Sequence, residues 1–88
     1  MLYIVIESFK DAVAVYRRFR DRGRMAPDGL SYVNSWVTPD LKRCYQVMEC
    51  ADRSLLEQWL SQWRDLVDFE VLPVLSSAEV QARLAGRL

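Results

Sequence analysis

The chain has 88 residues, 51% of them hydrophobic, and balances twelve Lys plus Arg against twelve Asp plus Glu, with no histidine. That length holds one core and therefore one domain, 1–88. Zero net charge excludes a global field for nucleic acid or anionic membrane, and the missing imidazole leaves only thiolates and carboxylates for a metal. Cys44 and Cys50 are not spaced as Cys-x-x-Cys, so no metal or cofactor is expected.

The run Leu2-Tyr3-Ile4-Val5-Ile6-Glu7 is nearly continuous in apolar residues, as suits a central strand covered on both faces. It carries no basic leader, and no apolar stretch approaches the roughly 20 residues that span a bilayer. A cytoplasmic protein is expected. Asp11 to Arg22 reads as a helix, with Ala12, Val15, Tyr16 and Phe19 recurring at three- and four-residue steps. Gly23 is placed to end it, and Ala26-Pro27-Asp28-Gly29 suits a type I turn.

Leu30 to Val37 and Arg43 to Cys50 read as a hairpin about Thr38-Pro39-Asp40-Leu41-Lys42. If both cysteines sit on one strand, six positions separate them by on the order of 20 Å, too far for a disulfide. Asp52 or Ser54 caps a second helix with the stripe Leu55, Leu56, Trp59, Leu60 and Trp63. The stripe marks both tryptophans as core. Val67 to Leu75 supplies the last strand, where Pro73 argues for an edge or a bulge. Ser76-Ser77-Ala78-Glu79 is a capping box that opens a short terminal helix ending near Gly86.

The order is β-α-β-β-α-β, which predicts an α+β, ferredoxin-like fold. Its antiparallel four-stranded sheet would carry two helices on one face, with a short C-terminal helix beyond. The other face stays open. Three Trp, four Tyr and three Phe are more aromatic material than one covered face can hide, so a partner chain or a ligand cavity is expected.

Alternation along the hairpin sorts its side chains into two sets. Pairing Val37 with Arg43 across a five-residue turn puts Asn34 opposite Gln46, Trp36 opposite Cys44, and Tyr32 opposite Met48. This set is aromatic, amide and sulfur rather than aliphatic, so it is assigned to the helix-free side. Tyr32, Asn34, Trp36, Gln46 and Met48 are then the candidate ligand-binding residues. Simple alternation adds Tyr3, Val5, Glu7, Glu70, Leu72 and Val74. A slip of one residue would exchange the faces and bring Glu49 and Tyr45 into the cavity instead. Glu7, Glu49 and Glu70 are the candidate catalytic carboxylates. The cluster Arg17, Arg18, Arg20, Arg22 and Arg24 reads first as a solvated helix end that complements the macrodipole.

Trp36, Cys44-Tyr45-Gln46-Val47-Met48-Glu49, Trp59, Trp63 and Asp65-Leu66-Val67-Asp68-Phe69-Glu70-Val71-x-Pro73-Val74 together carry a resemblance. The chain resembles a bacterial family of short ferredoxin-like proteins grouped as a domain of unknown function. Its architecture is also similar to the dimeric α+β barrel superfamily, in which two protomers close their open sheet faces over a shared cavity. That superfamily includes cofactor-free monooxygenases, dehydratases, muconolactone isomerase-like enzymes and ligand sensors. The resemblance implies a homodimer. This chain lacks the histidine that several of those enzymes use.

Two functions follow as expectations. The first is a homodimer that binds a small molecule in a cavity on the helix-free face. The second is a cofactor-free enzyme, monooxygenase- or isomerase-like, in which a carboxylate inside an apolar cavity is a general base of raised pKa. RNA recognition on the same strand order needs glycine and aromatics on its third strand. Arg43 to Cys50 has no glycine and only Tyr45, so no nucleic-acid partner is expected.

Overall fold

The computed structural model describes residues 1–88 and realises the expected order: β1 (Leu2–Phe9), α1 (Ala12–Arg22), β2 (Ser31–Val37), β3 (Arg43–Glu49), α2 (Arg53–Ser61), β4 (Val67–Val74) and α3 (Ser77–Leu84). A 3₁₀ turn, Ala85–Arg87, follows α3. The fold is α+β and ferredoxin-like. Its sheet runs β2-β3-β1-β4 with every neighbouring pair antiparallel, so β2 and β4 are the edges. Pro73 accordingly sits on an edge strand, where a missing N–H is tolerated.

Local chemistry sets the boundaries. Asp11 caps α1 by accepting from Val13 N and Ala14 N at 3.0 and 3.3 Å. Gly23, at φ 70°, ends it with an N–H donated to Phe19 O at 2.8 Å. Asp52 caps α2 and Ser76 caps α3, each accepting a backbone N–H from the first turn of its helix. Between the two sheet-covering helices, Arg18 donates to both carboxylate oxygens of Asp65, at 2.8 and 2.6 Å, and to Gln62 O at 3.1 Å. Its guanidinium also lies over the Trp63 ring. One member of the basic cluster therefore fastens α1 to the end of α2.

The hairpin departs from the expected pairing. Val37 pairs with Cys44, Trp36 with Tyr45, Ser35 with Gln46 and Asn34 with Val47; a bulge at Val33 then restores Tyr32 to Met48. The cause is a tighter turn. Thr38 still belongs to the ladder, donating its N–H to Arg43 O at 2.9 Å, and its hydroxyl accepts from Arg43 N. Asp40 ties the loop inside by accepting from the Thr38 hydroxyl and Lys42 N. Four residues turn the chain, not five, and Leu41 takes φ 61° to do so.

That shift decides which residues of β2 share a face with which of β3. The core holds Tyr3 and Val5 from β1, Met48 from β3 and Val67 from β4. They pack against Val15 of α1, against Leu56, Trp59 and Leu60 of α2, and against Trp63 just beyond it. Cys44, Gln46 and Glu7 are buried on this same side. Cys44, Gln46 and Met48 thus lie under the helices, contrary to the assignment made from residue type. Tyr32 shares Met48's side because the two are paired across the bulge. Asn34 and Trp36 do lie on the helix-free side, beyond the bulge that reverses the alternation. Glu70, Leu72 and Val74 pair with Ile6, Ile4 and Leu2, so they also face away from the helices and are not neighbours of Tyr3, Val5 and Glu7.

The helix-free face therefore carries an aliphatic row, Leu2, Ile4, Ile6, Val47, Leu72 and Val74, with Tyr45 and Trp36 toward the β2 edge and Arg43, Glu49, Asp68 and Glu70 around it. Trp36 is 57% exposed.

Candidate functional site

Glu7 sits on β1 between Cys44 of β3 and Phe69 of β4. Above it, a cavity of about 80 Å³ opens between the sheet and α1. Its floor is Glu7, Cys44 and Gln46, and its walls include Phe9, Trp59 and Trp63. Tyr16, Phe19 and Arg24 close the outer side. The helical spacing of Val15, Tyr16 and Phe19 brings all three to the cavity, but only Val15 is buried within α1. Phe9, Tyr16 and Phe19 touch edge to face, with ring centroids 6.2 and 6.5 Å apart.

Arg24 is held from two directions. Its carbonyl accepts both indole N–H groups, from Trp59 and Trp63, each at 3.0 Å. Its guanidinium stacks over Tyr32, 3.7 Å from the ring centroid, and lies 5.1 Å from that of Phe19. The next residue, Met25, is left-handed at φ 61°, a conformation that costs a non-glycine residue on the order of 1 kcal/mol. The two tryptophans are core, as their spacing implies, and they also position the loop at the mouth of the cavity.

Burial pushes the Glu7 carboxyl up from 4.5 to about 7, against the opposing pull of a hydrogen bond from the Cys44 thiol and the positive charge of Arg24. Burial also pushes Cys44 up to about 12, helped by the Glu7 charge and by that same hydrogen bond. The thiol stays protonated at neutral pH and is a donor, not a nucleophile. Tyr16 is raised as well, first by burial and then by Cys44 and Glu7. Gln46 turns its amide toward Met48, with Nε2 3.5 Å from Sδ. A carboxyl poised near neutral pH in aromatic surroundings can accept or donate a proton.

The other sequence candidates are dispersed. Glu49 is exposed at the end of β3, opposite Leu2. Glu70 is exposed on the helix-free face and borders a shallow open depression with Arg43 and Asp68. Asn34 accepts the Ser35 N–H at 2.8 Å and does not meet Gln46. Met48 is wholly buried. Of the eight named candidates, the structure brings Glu7 and Gln46 to the cavity, with Tyr32 one step outside, behind Arg24. Arg24, Tyr16, Phe19 and Phe9 are additions. Arg24 was visible in the sequence only as one charge in a basic run. No group of three His, Cys, Asp or Glu side chains is placed to hold a metal ion, and no helix is long and apolar enough to cross a membrane.

The model of the family DUF3303, a domain of unknown function, matches residues 1–88. The chain belongs to DUF3303. Among solved structures, that of Rv0793 from Mycobacterium tuberculosis is similar to this DUF3303 chain, with a TM-score of 0.50 and 20% sequence identity over 88% of this chain and 97% of that one. At that identity the likeness concerns the fold alone. No curated protein matches the chain.

Proposed function

We propose that this DUF3303 protein binds a small, largely apolar molecule in the cavity between α1 and the sheet, its polar group hydrogen-bonded to Glu7. It acts as a homodimer in which two helix-free faces close on each other. The observation that carries the first part is the Glu7 carboxyl itself. It is 8% exposed and forms no ion pair, yet it faces a cavity rather than packed side chains. A buried carboxyl with only a thiol partner costs stability, which suits a group kept for recognition or chemistry rather than packing. The small volume favours a ligand of few heavy atoms, or a larger one that moves α1 outward. The dimer is supported by the aliphatic row on the helix-free face, the kind of contiguous apolar surface that marks an interaction site.

A second reading draws on the same group. A carboxyl with a pKa of about 7 is matched to general acid–base catalysis at neutral pH, so a cofactor-free enzyme, monooxygenase- or isomerase-like, would use Glu7 as its base. A pH–rate profile that loses its limb near neutrality on Glu7→Gln would favour this reading over simple binding.

The binding test is an NMR titration of the labelled protein with single-ring aromatic and short aliphatic alcohols, acids and amides. Ligands should shift the Trp59 and Trp63 indole signals while leaving Trp36 still. Glu7→Gln should weaken those that hydrogen-bond the carboxyl by about tenfold. Shifts centred on Trp36, or none across the set, would reject the cavity.

A further inference from the structure

We propose that the C-terminal arm, Ser76–Leu88, docks on a second copy of this chain, with Val80 and Leu84 against the partner's edge strand β2 at Val33 and Arg83 facing the partner's Glu49. The proposal rests on the dimer proposed above and adds to it the segment that clasps the two copies.

The arm has no place to pack on its own protomer. No residue of α3 or of the following 3₁₀ turn is buried, and none hydrogen-bonds to the body of the domain. The molecule measures 49 × 30 × 18 Å, and its radius of gyration is 14.9 Å, against roughly 12 Å for a compact chain of this length. An isolated helix shorter than about 12 residues is marginal in water even with a good cap. The eight residues of α3 have that cap, Ser76 with Glu79, but no packed face. Val80 and Leu84, one turn apart, form the apolar side that is left over.

The matching deficit lies at the opposite edge of the sheet. None of the seven residues of β2 is buried, and Val33, at the bulge, is 52% exposed. The arm leaves β4, and β2 is the far strand in the order β2-β3-β1-β4. A two-fold axis parallel to the strands, with the helix-free faces opposed, lays β4 of each copy over β2 of the other. Val74, where the arm begins, and Glu49 are both paired with Leu2, so they share one end of the sheet. The same axis keeps like ends together. The arm then emerges beside the partner's Ser31–Val33 and Glu49. The arm helices span about 18 Å, enough to bridge the roughly 10 Å between two opposed sheets.

Charge agrees with this placement. Arg83 and Arg87 form no ion pair within the protomer, and neither do Glu49 and Glu70. Arg83 lies three residues beyond Val80, on the adjoining side of the helix, so an arm seated through Val80 can present it to a carboxylate at the rim.

The test uses two full-length variants, Val33→Cys and Leu84→Cys, mixed and mildly oxidised. A disulfide-linked pair should form in the mixture and in neither variant alone. In parallel, sedimentation equilibrium should show Val80→Asp/Leu84→Asp raising the dimer dissociation constant by at least about tenfold; both positions are outside the core, so the fold is retained. If the chain is dimeric but the cross-link is absent, or the dissociation constant is unchanged, the arm proposal falls and the dimer stands. A monomeric full-length chain overturns both.

Discussion

Both faces of this sheet are mixed: the covered side holds polar groups within an apolar core, and the open side holds an aliphatic row beside exposed charges. Under the helices lie a carboxyl, an amide, a thiol and a thioether: Glu7, Gln46, Cys44 and Met48. On the uncovered side lie Leu2, Ile4, Ile6, Val47 and Leu72. An aliphatic row facing outward points to burial between copies, whereas polar groups facing inward need a reason to stay there. The cavity beside Glu7 offers one. The contrast teaches that side-chain type does not report which face of a small sheet is covered when both faces carry apolar side chains.

The largest expected effect tests the covered face. Trp59→Ala removes a core ring that is 2% exposed and one of the two indoles holding the Arg24 carbonyl, and should cost about 3–5 kcal/mol in urea denaturation. A loss under about 1 kcal/mol would mean that this side is not the stabilising core.

Glu7→Gln comes next, read as stability against pH. The folded-state pKa is raised from 4.5 to about 7, so between those values the folded protein holds a proton that the unfolded chain releases. The contribution of Glu7 to wild-type stability is greatest below the lower value, falls as pH rises through the window, and levels off above about 7. The difference amounts to about 3 kcal/mol. The variant should lack this slope and be the more stable protein at about pH 8. Parallel curves for the two proteins would remove Glu7 from the buried site.

Ile4→Asp addresses the open face. Ile4 lies on the helix-free side of a central strand and is only partly covered in the protomer. A charge there should leave the fold intact and weaken dimerisation on the order of 10- to 100-fold by sedimentation. An unchanged association state would show that this row is not the dimer surface.

Much of the fold was legible in residue order. The cap at Ser76, the stop at Gly23, and the spacing of Leu56, Trp59, Leu60 and Trp63 all act within a few residues of themselves, so local pattern reports them well. The candidate site was legible in part. Glu7 was among the carboxylates singled out, but it was grouped with Glu70, which lies on the other face. The difference arises in the turn. Thr38 pairs with Arg43 instead of joining the loop, the register moves by one, and the β3 partners of Asn34 to Val37 change sides. The bulge at Val33 then parts Tyr32 from Asn34 and Trp36, a break that alternation alone does not announce.

The sequence by itself determined the elements and their order, because capping, turn chemistry and hydrophobic period are local forces. Only the tertiary structure decided which face the helices cover and, through a hairpin register set by the Thr38 and Asp40 hydrogen bonds, which β2 residues share it. It also decided that Glu7 stands beside Cys44 and near Arg24. The pKa of the carboxyl depends on burial, on a thiol 37 residues away and on a charge 17 residues away along the chain, and no local pattern records that distance.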